Sequence, residues 1–245
     1  MKRMYMVTVM ALVAGMSFPA MANIDLTVDF SVLPTTQGWT NISGGLGVDP
    51  DTQVDTGLKI WDMENPDGAH NSYRRTDHVS LQTGTPDFYH GRAVIDHQGT
   101  WGNFSDLNLV QFIDIPREIY VWLNPTDGGL SWYAGASWNH IVFPAGVSNS
   151  TGVHTYEWET AIGPGNATVT TDVWFDGVKI ATGLDMKGVP GADRLSFGDG
   201  STNSGANHHH WMSFHFGQGR IPEPATLTLL GLGSGLMLLR RRRWA

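Results

Sequence analysis

At 245 residues the chain has room for one large domain and a pair of terminal signals. It contains no cysteine, which excludes disulfides and thiolate metal centres and leaves the fold dependent on its core. With 23 acidic against 15 basic residues the net charge is −8, a balance that disfavours nucleic acid and anionic lipid and favours cations.

In chain order, Lys2 and Arg3 precede an apolar run from Met4 to Phe18, followed by Ala20-Met21-Ala22. A basic start, a short apolar middle and a small-residue cleavage site make a secretory signal peptide. Residues 1–22 are therefore set apart from the folded body, and export by the Sec machinery is expected. The body runs over 23–219. It holds all but one of the 23 acidic residues and, with Arg220 at its edge, nine of the 15 basic ones, so 22 acids against 9 bases leave −13 before histidine.

Ile24, Leu26, Val28 and Phe30 alternate with Asp25, Thr27 and Asp29, which predicts a half-buried strand that Leu33-Pro34 ends. Trp39 to Ile42, Leu58 to Trp61, Tyr73 to Leu81, Arg92 to Asp96 and Leu107 to Ile115 continue the pattern, with turn signals such as Asn65-Pro66-Asp67-Gly68 between them. Ile119, Val121 and Leu123 share one side of the next strand, Tyr120 and Trp122 the other. Val153 to Ile162 places His154, Tyr156 and Trp158 on one side and Glu157 and Glu159 on the other. Val169 to Phe175 alternates and meets Asp176-Gly177, a two-residue hairpin signal, before Val178 to Ile180. Arg194 to Phe197 and Trp211 to Phe216 supply the last strands. About a dozen short strands, no amphipathic helix and no fixed repeat predict an all-β sandwich or barrel.

Four groups of residues are candidates for chemistry. If Val121, Leu123, Val173 and Phe175 face the core, Trp122 and Trp174 point outward, and with Tyr120, Tyr156 and Trp158 they form either an aromatic platform suited to the apolar face of a pyranose or, with loops over that face, ordinary strand packing. Asp49, Asp51 and Asp55 in one Gly-rich loop offer oxygens to calcium, as Asp127 and Asp199 do in other loops, although solvated turns have the same composition. His208, His209, His210 and His215 place two rings on each side of an ideal strand, without the further ligands a zinc site needs. Glu157 and Glu159 stand about 7 Å apart on one face, within the range used for glycoside hydrolysis. No catalytic residue is assigned.

The chain ends with Pro222-Glu223-Pro224, an uncharged run of fifteen residues from Ala225 to Leu239, and Arg240, Arg241, Arg242 and Arg243. As a helix the run would reach about 22 Å against a hydrocarbon core of about 30 Å, which suits a transient membrane segment better than a lasting one. The arginines would keep that end cytoplasmic.

Residues 220–245 resemble the PEP-CTERM sorting signal, whose three parts occur here in order. The resemblance implies recognition by an exosortase in the inner membrane of a Gram-negative bacterium that makes extracellular polysaccharide, with cutting near Pro222-Glu223-Pro224 and release or attachment of the body at the cell surface. In the body, Val28-Asp29-Phe30 through Gly38-Trp39, His154-Thr155-Tyr156-Glu157-Trp158, Val173-Trp174-Phe175-Asp176-Gly177 and Leu195-Ser196-Phe197-Gly198-Asp199 occur in an order that resembles the concanavalin A-like lectin and laminin-G superfamily of jelly rolls. The glucanases of that superfamily carry an acidic triad where this chain has Thr155, Glu157 and Glu159, so the triad is incomplete. The expectation is a non-catalytic module for extracellular polysaccharide, with calcium as its candidate cofactor. The alternatives are an adhesive surface protein with protein partners and a glycan-active hydrolase or lyase.

Overall fold

The structure, a computed structural model, describes residues 25–43, 52–54, 57–61, 71–76, 88–98, 107–114, 119–126, 128–134, 137–186, 194–199 and 208–221. The predicted signal peptide, the Asp49, Asp51 and Asp55 loop, Asp127 and the apolar run 225–239 lie outside these residues. Among the described residues there is no α-helix, and no helix long and apolar enough to cross a membrane.

Among the described residues sixteen strands build two layers. They are β1 (Asp25–Val28), β2 (Thr40–Ser43), β3 (Thr52–Val54), β4 (Gly57–Trp61), β5 (Asn71–Arg75), β6 (Phe88–Gln98), β7 (Leu107–Asn108), β8 (Val110–Asp114), β9 (Ile119–Thr126), β10 (Gly129–Ala134), β11 (Ser137–Val142), β12 (Gly152–Ile162), β13 (Val169–Phe175), β14 (Val178–Asp185), β15 (Leu195–Asp199) and β16 (His208–Gln218). The large sheet has the order β14-β13-β12-β6-β16-β4-β3, with β1 pairing the other half of the β16 edge that β4 leaves free. The second layer consists of β11-β10-β9-β8 and β2-β5-β15-β7. These two sheets meet at Leu109, which separates β7 from β8 and donates its N–H to the Leu123 carbonyl at 2.9 Å. Every pairing is antiparallel. The protein is the all-β sandwich that the alternation predicts.

The core between the layers is aromatic. Trp158, Trp211, Phe214, Phe197, Tyr73 and Trp39 are buried together, with Phe197 stacked on Phe214 at 4.7 Å and edge-on to Trp39 at 4.9 Å. Burying six large rings supplies, at roughly 25 cal/mol per Å2 and 150–250 Å2 per ring, the drive that a chain without disulfides needs. The hairpin between β13 and β14 turns through Asp176 (φ 48°) and Gly177 (φ 76°), both left-handed as a two-residue primed turn requires.

Two expectations are corrected. Tyr156 and Trp158 are fully buried rather than displayed, because they pair with Phe175 and Val173 and share their inward face. Glu157 and Glu159 consequently look outward, and Val153, which a strict core assignment would bury, is 55% exposed at the strand end. The histidines of β16 do not follow strict alternation either. A register shift between Trp211 and Ser213 inserts one residue, so that Trp211 and Phe214 both face inward while His210 and His215 share the outward face.

Candidate functional site

The outer face of the large sheet carries one row of side chains at a single register level. Lys179 on β14 opposes Trp174 on β13, Trp174 opposes Glu157 on β12, Glu157 opposes Arg92 on β6, and Arg92 opposes His215 on β16. Thr27 on β1 closes the row. Five inter-strand steps of about 4.8 Å make it roughly 24 Å wide. The middle of the row exists because its residues alternate with buried ones: Val173 and Phe175 flank Trp174, Gly91 and Ala93 flank Arg92, and Tyr156 and Trp158 flank Glu157.

The charges of this face are paired with one another. Arg92 Nε lies 3.3 Å from Glu157 Oε1, and Lys179 Nζ lies 2.8 Å from Asp172 Oδ2 and 4.5 Å from the centre of the Trp174 ring. Asp172 also accepts the Gly183 N–H at 2.8 Å, and although its partial burial works the other way, these two partners hold its carboxyl below the usual carboxylate range. His215 Nε2 is 2.6 Å from Asp25 Oδ1, and its ring centre is 5.2 Å from that of His90.

Where β16 runs out, the chain stays on this face. Gly219 donates its N–H to the Phe88 carbonyl at 2.8 Å, and its own carbonyl lies 3.0 Å from His90 Nδ1. Arg220 stacks over the Phe88 ring at 4.0 Å and approaches Glu159 at 3.9 Å. Ile221 donates its N–H to the other Glu159 oxygen at 3.0 Å. Thus Glu159 binds the segment that leads into Pro222-Glu223-Pro224. Residues 220–243 match the PEP-CTERM protein-sorting motif. The PEP-CTERM tail implies an exported protein that is processed by an exosortase and is anchored in the membrane only transiently.

No curated protein matches the sequence. Among solved structures, the body is similar to the cellulose-induced protein Cip1 (TM-score 0.52, 14% identity, 80% of this chain and 98% of that one). A carbohydrate esterase from the Shiga toxin-encoding bacteriophage phi24B gives TM-score 0.53 at 13% identity, over 81% of this chain and 99% of that one. The alginate lyase Aly36B, solved with an alginate trisaccharide, gives 0.51 at 9% identity, over 80% of this chain and 98% of that one. At these identities the likeness establishes the sandwich fold, which the PEP-CTERM tail follows.

The predicted platform is dispersed. Trp174 lies on the outer face of the large sheet and Tyr156 and Trp158 lie in the core. Trp122 lies on the outer face of the second layer, between the core residues Val121 and Leu123. Tyr120 belongs to β9, and its side chain lies outside the described residues. Trp122 instead joins Trp138, edge-on at 4.8 Å, and Tyr133, tilted at 6.0 Å, in an aromatic cluster beside a 2.7 Å contact between Ser131 Oγ and His140 Nδ1. Among the described residues no three His, Asp or Glu side chains converge as a metal would need. The sequence reading singles out Trp174 and Glu157 but passes over Arg92 and Lys179. The available signal for Arg92 was its place between small apolar residues in an alternating strand.

Proposed function

We propose that the body of this PEP-CTERM protein is a non-catalytic module for extracellular polysaccharide, which it takes along the row from Lys179 to His215. The row itself carries the reading: one partly exposed indole stands in line with hydrogen-bonding side chains across five strands. Indole faces stack on the apolar side of pyranoses, while forked charged groups take the hydroxyls. The Lys179 ammonium rests on the Trp174 ring, and a stacking sugar would displace it. At a solvated site that contact is worth about 0.5–1 kcal/mol, a small cost against burial of a sugar face. The fold shared with Cip1, the esterase and the lyase supports the reading only in general terms, since one sandwich hosts many functions. Glu157 and Glu159 are engaged by Arg92, Arg220 and the Ile221 N–H, so each already has a structural partner on this face.

The test is glycan-array binding followed by calorimetry on the positive oligosaccharides, with and without calcium, for which Asp49, Asp51 and Asp55 are the candidate ligands. Trp174→Ala is expected to abolish binding at an unchanged melting temperature. Equal affinity in that variant would remove the row as the site.

A second reading rests on β11, the edge strand of its sheet. It exposes Trp138 and Val142 and has no charged residue between Ser137 and Val142. The edge strand β14, by contrast, is protected by Lys179 and by register shifts against β13. An adhesive protein would use β11 to pair with an extended segment of a protein partner. Self-association that is lost in Trp138→Asp, in a protein that binds no glycan, would favour it.

A further inference from the structure

Both ends of the described body leave the sandwich at one pole, and the later one is tied down there. Asp25 opens β1 opposite Gly217 of β16. Phe88 on β6 pairs with Ala161, Ile162 with Val169, and Thr170 with Asp185, so the same pole carries the start of β6, the end of β12, the start of β13 and the end of β14. The opposite pole carries Gly152, ten residue steps from Ile162 along β12, and the Asp176-Gly177 turn and Val178 lie toward it, level with Thr155 and Tyr156 and six to seven steps from Ile162. Ten steps amount to about 33 Å.

The mooring of Gly219, Arg220 and Ile221 on Phe88, His90 and Glu159 brings fixed chain to the very start of the sorting motif. Only Pro222, Glu223 and Pro224 separate Ile221 from the apolar run that begins at Ala225. Four Cα-to-Cα steps reach at most about 14 Å. That tether is less than half the distance between the poles, so the body cannot turn over while Glu159 holds Ile221. We infer that, until the tail is cut, the sandwich stands on the lipid surface in one orientation, with the pole of Phe88, Glu159 and the Gly163–Thr168 loop toward the bilayer. The inference rests on the reading that the apolar run lies in the membrane. Lipid affinity of the body is not what orients it. Asp25 and Asp185 at this pole are repelled by anionic headgroups, and the loop 163–168 carries no charge at all. The short tether does the orienting, and the processing enzyme therefore meets the body at this pole.

The absence of cysteine makes single probes simple to place. The full chain carrying Ala167→Cys or Val178→Cys, labelled with a fluorophore, is incorporated in phosphatidylethanolamine–phosphatidylglycerol vesicles that contain a headgroup-attached quencher. Flotation with the vesicles comes first, and a chain that does not float overturns the membrane reading and this inference with it. In a chain that floats, quenching at position 167 is expected to exceed that at position 178 several-fold. Equal quenching at the two positions overturns the fixed orientation while leaving the membrane reading intact. Glu159→Gln, checked for an unchanged melting temperature, frees Arg220 and Ile221, lengthens the tether to the six steps beyond Gly219 (about 21 Å) and is expected to lower the ratio without bringing it to one. Arg220→Gln serves as the second variant if Glu159→Gln fails to fold, and an unchanged ratio in the folded variant overturns the mooring.

Discussion

Gly91 lies flat against Trp158: a Cβ built on residue 91 would stand 2.0 Å from Cζ2 of the indole. The ring is fully buried and paired into the middle of the sheet, so it has nowhere to move. In an ordinary strand a glycine weakens the structure and Gly→Ala helps. Here overpacking reverses the sign, and Gly91→Ala is expected to cost about 1–3 kcal/mol, read as a lower urea midpoint at unchanged slope. A midpoint equal to or above the parent's would show that Trp158 is placed differently.

Asn149 is the second point of high sensitivity. It is fully buried, receives the Gly128 N–H on Oδ1 at 2.9 Å, and gives its amide protons to the Thr126 carbonyl at 2.9 Å and the Tyr156 hydroxyl at 3.2 Å. The Gly128 N–H can only donate, which fixes the orientation of the amide. Tyr156, whose hydroxyl also lies 3.0 Å from His97 Nε2, has its ionisation pushed far up by burial and stays neutral. Asn149→Ala leaves several buried groups without partners and is expected to cost about 2–3 kcal/mol in thermal or chemical melts. Asn149→Asp, which turns an oxygen toward carbonyls, should be at least as harmful.

A pH dependence follows from His90. Burial holds its imidazole below the ordinary value of 6.5; the Gly219 carbonyl, Asp25 and Glu159 work against this and His215 works with it. The unfolded chain then takes up the proton first as pH falls. Stability is full above about 6.5 and declines below it, until the folded state also binds the proton. Melting temperatures recorded between pH 7.5 and 5 should fall, and His90→Gln should flatten the decline. A slope of the same size in that variant would assign the effect to other groups.

The two functional readings separate at Val142, which is 83% exposed on β11. Val142→Lys should change stability by no more than about 0.5 kcal/mol and leave glycan affinity untouched. It should also block any association through that strand, since a lysine on an edge opposes further pairing. Analytical ultracentrifugation beside the glycan assay reads both outcomes.

The strands and the fold class are legible because alternation and turn chemistry are local. The hairpin at Asp176-Gly177 is correct to the residue. The facing of β12 is harder to read, since Tyr156 and Trp158 suit either a sugar platform or a core. Glu157 and Glu159 held the answer, because two neighbouring carboxylates are far costlier to bury than two rings. The grouping of His210 with His215 is beyond any local pattern. It depends on an inserted residue that only the pairing of β16 with β6 reveals. The row from Lys179 to His215 is likewise assembled from five strands distant in sequence, and the mooring at Glu159 joins residues 62 apart.

The position of β16 has a consequence for the timing of folding. This strand, the last among the described residues, lies in the interior of the large sheet, against β6 along its whole length, and delivers Trp211, Phe214 and Phe216 to the interior. A chain threaded through a pore with its first residues leading thus lacks its central plank until residue 218 emerges, and the non-local pairings that define the sandwich must wait. Topology thus sets the moment of completion: the large sheet closes only after nearly all of the body has left such a passage.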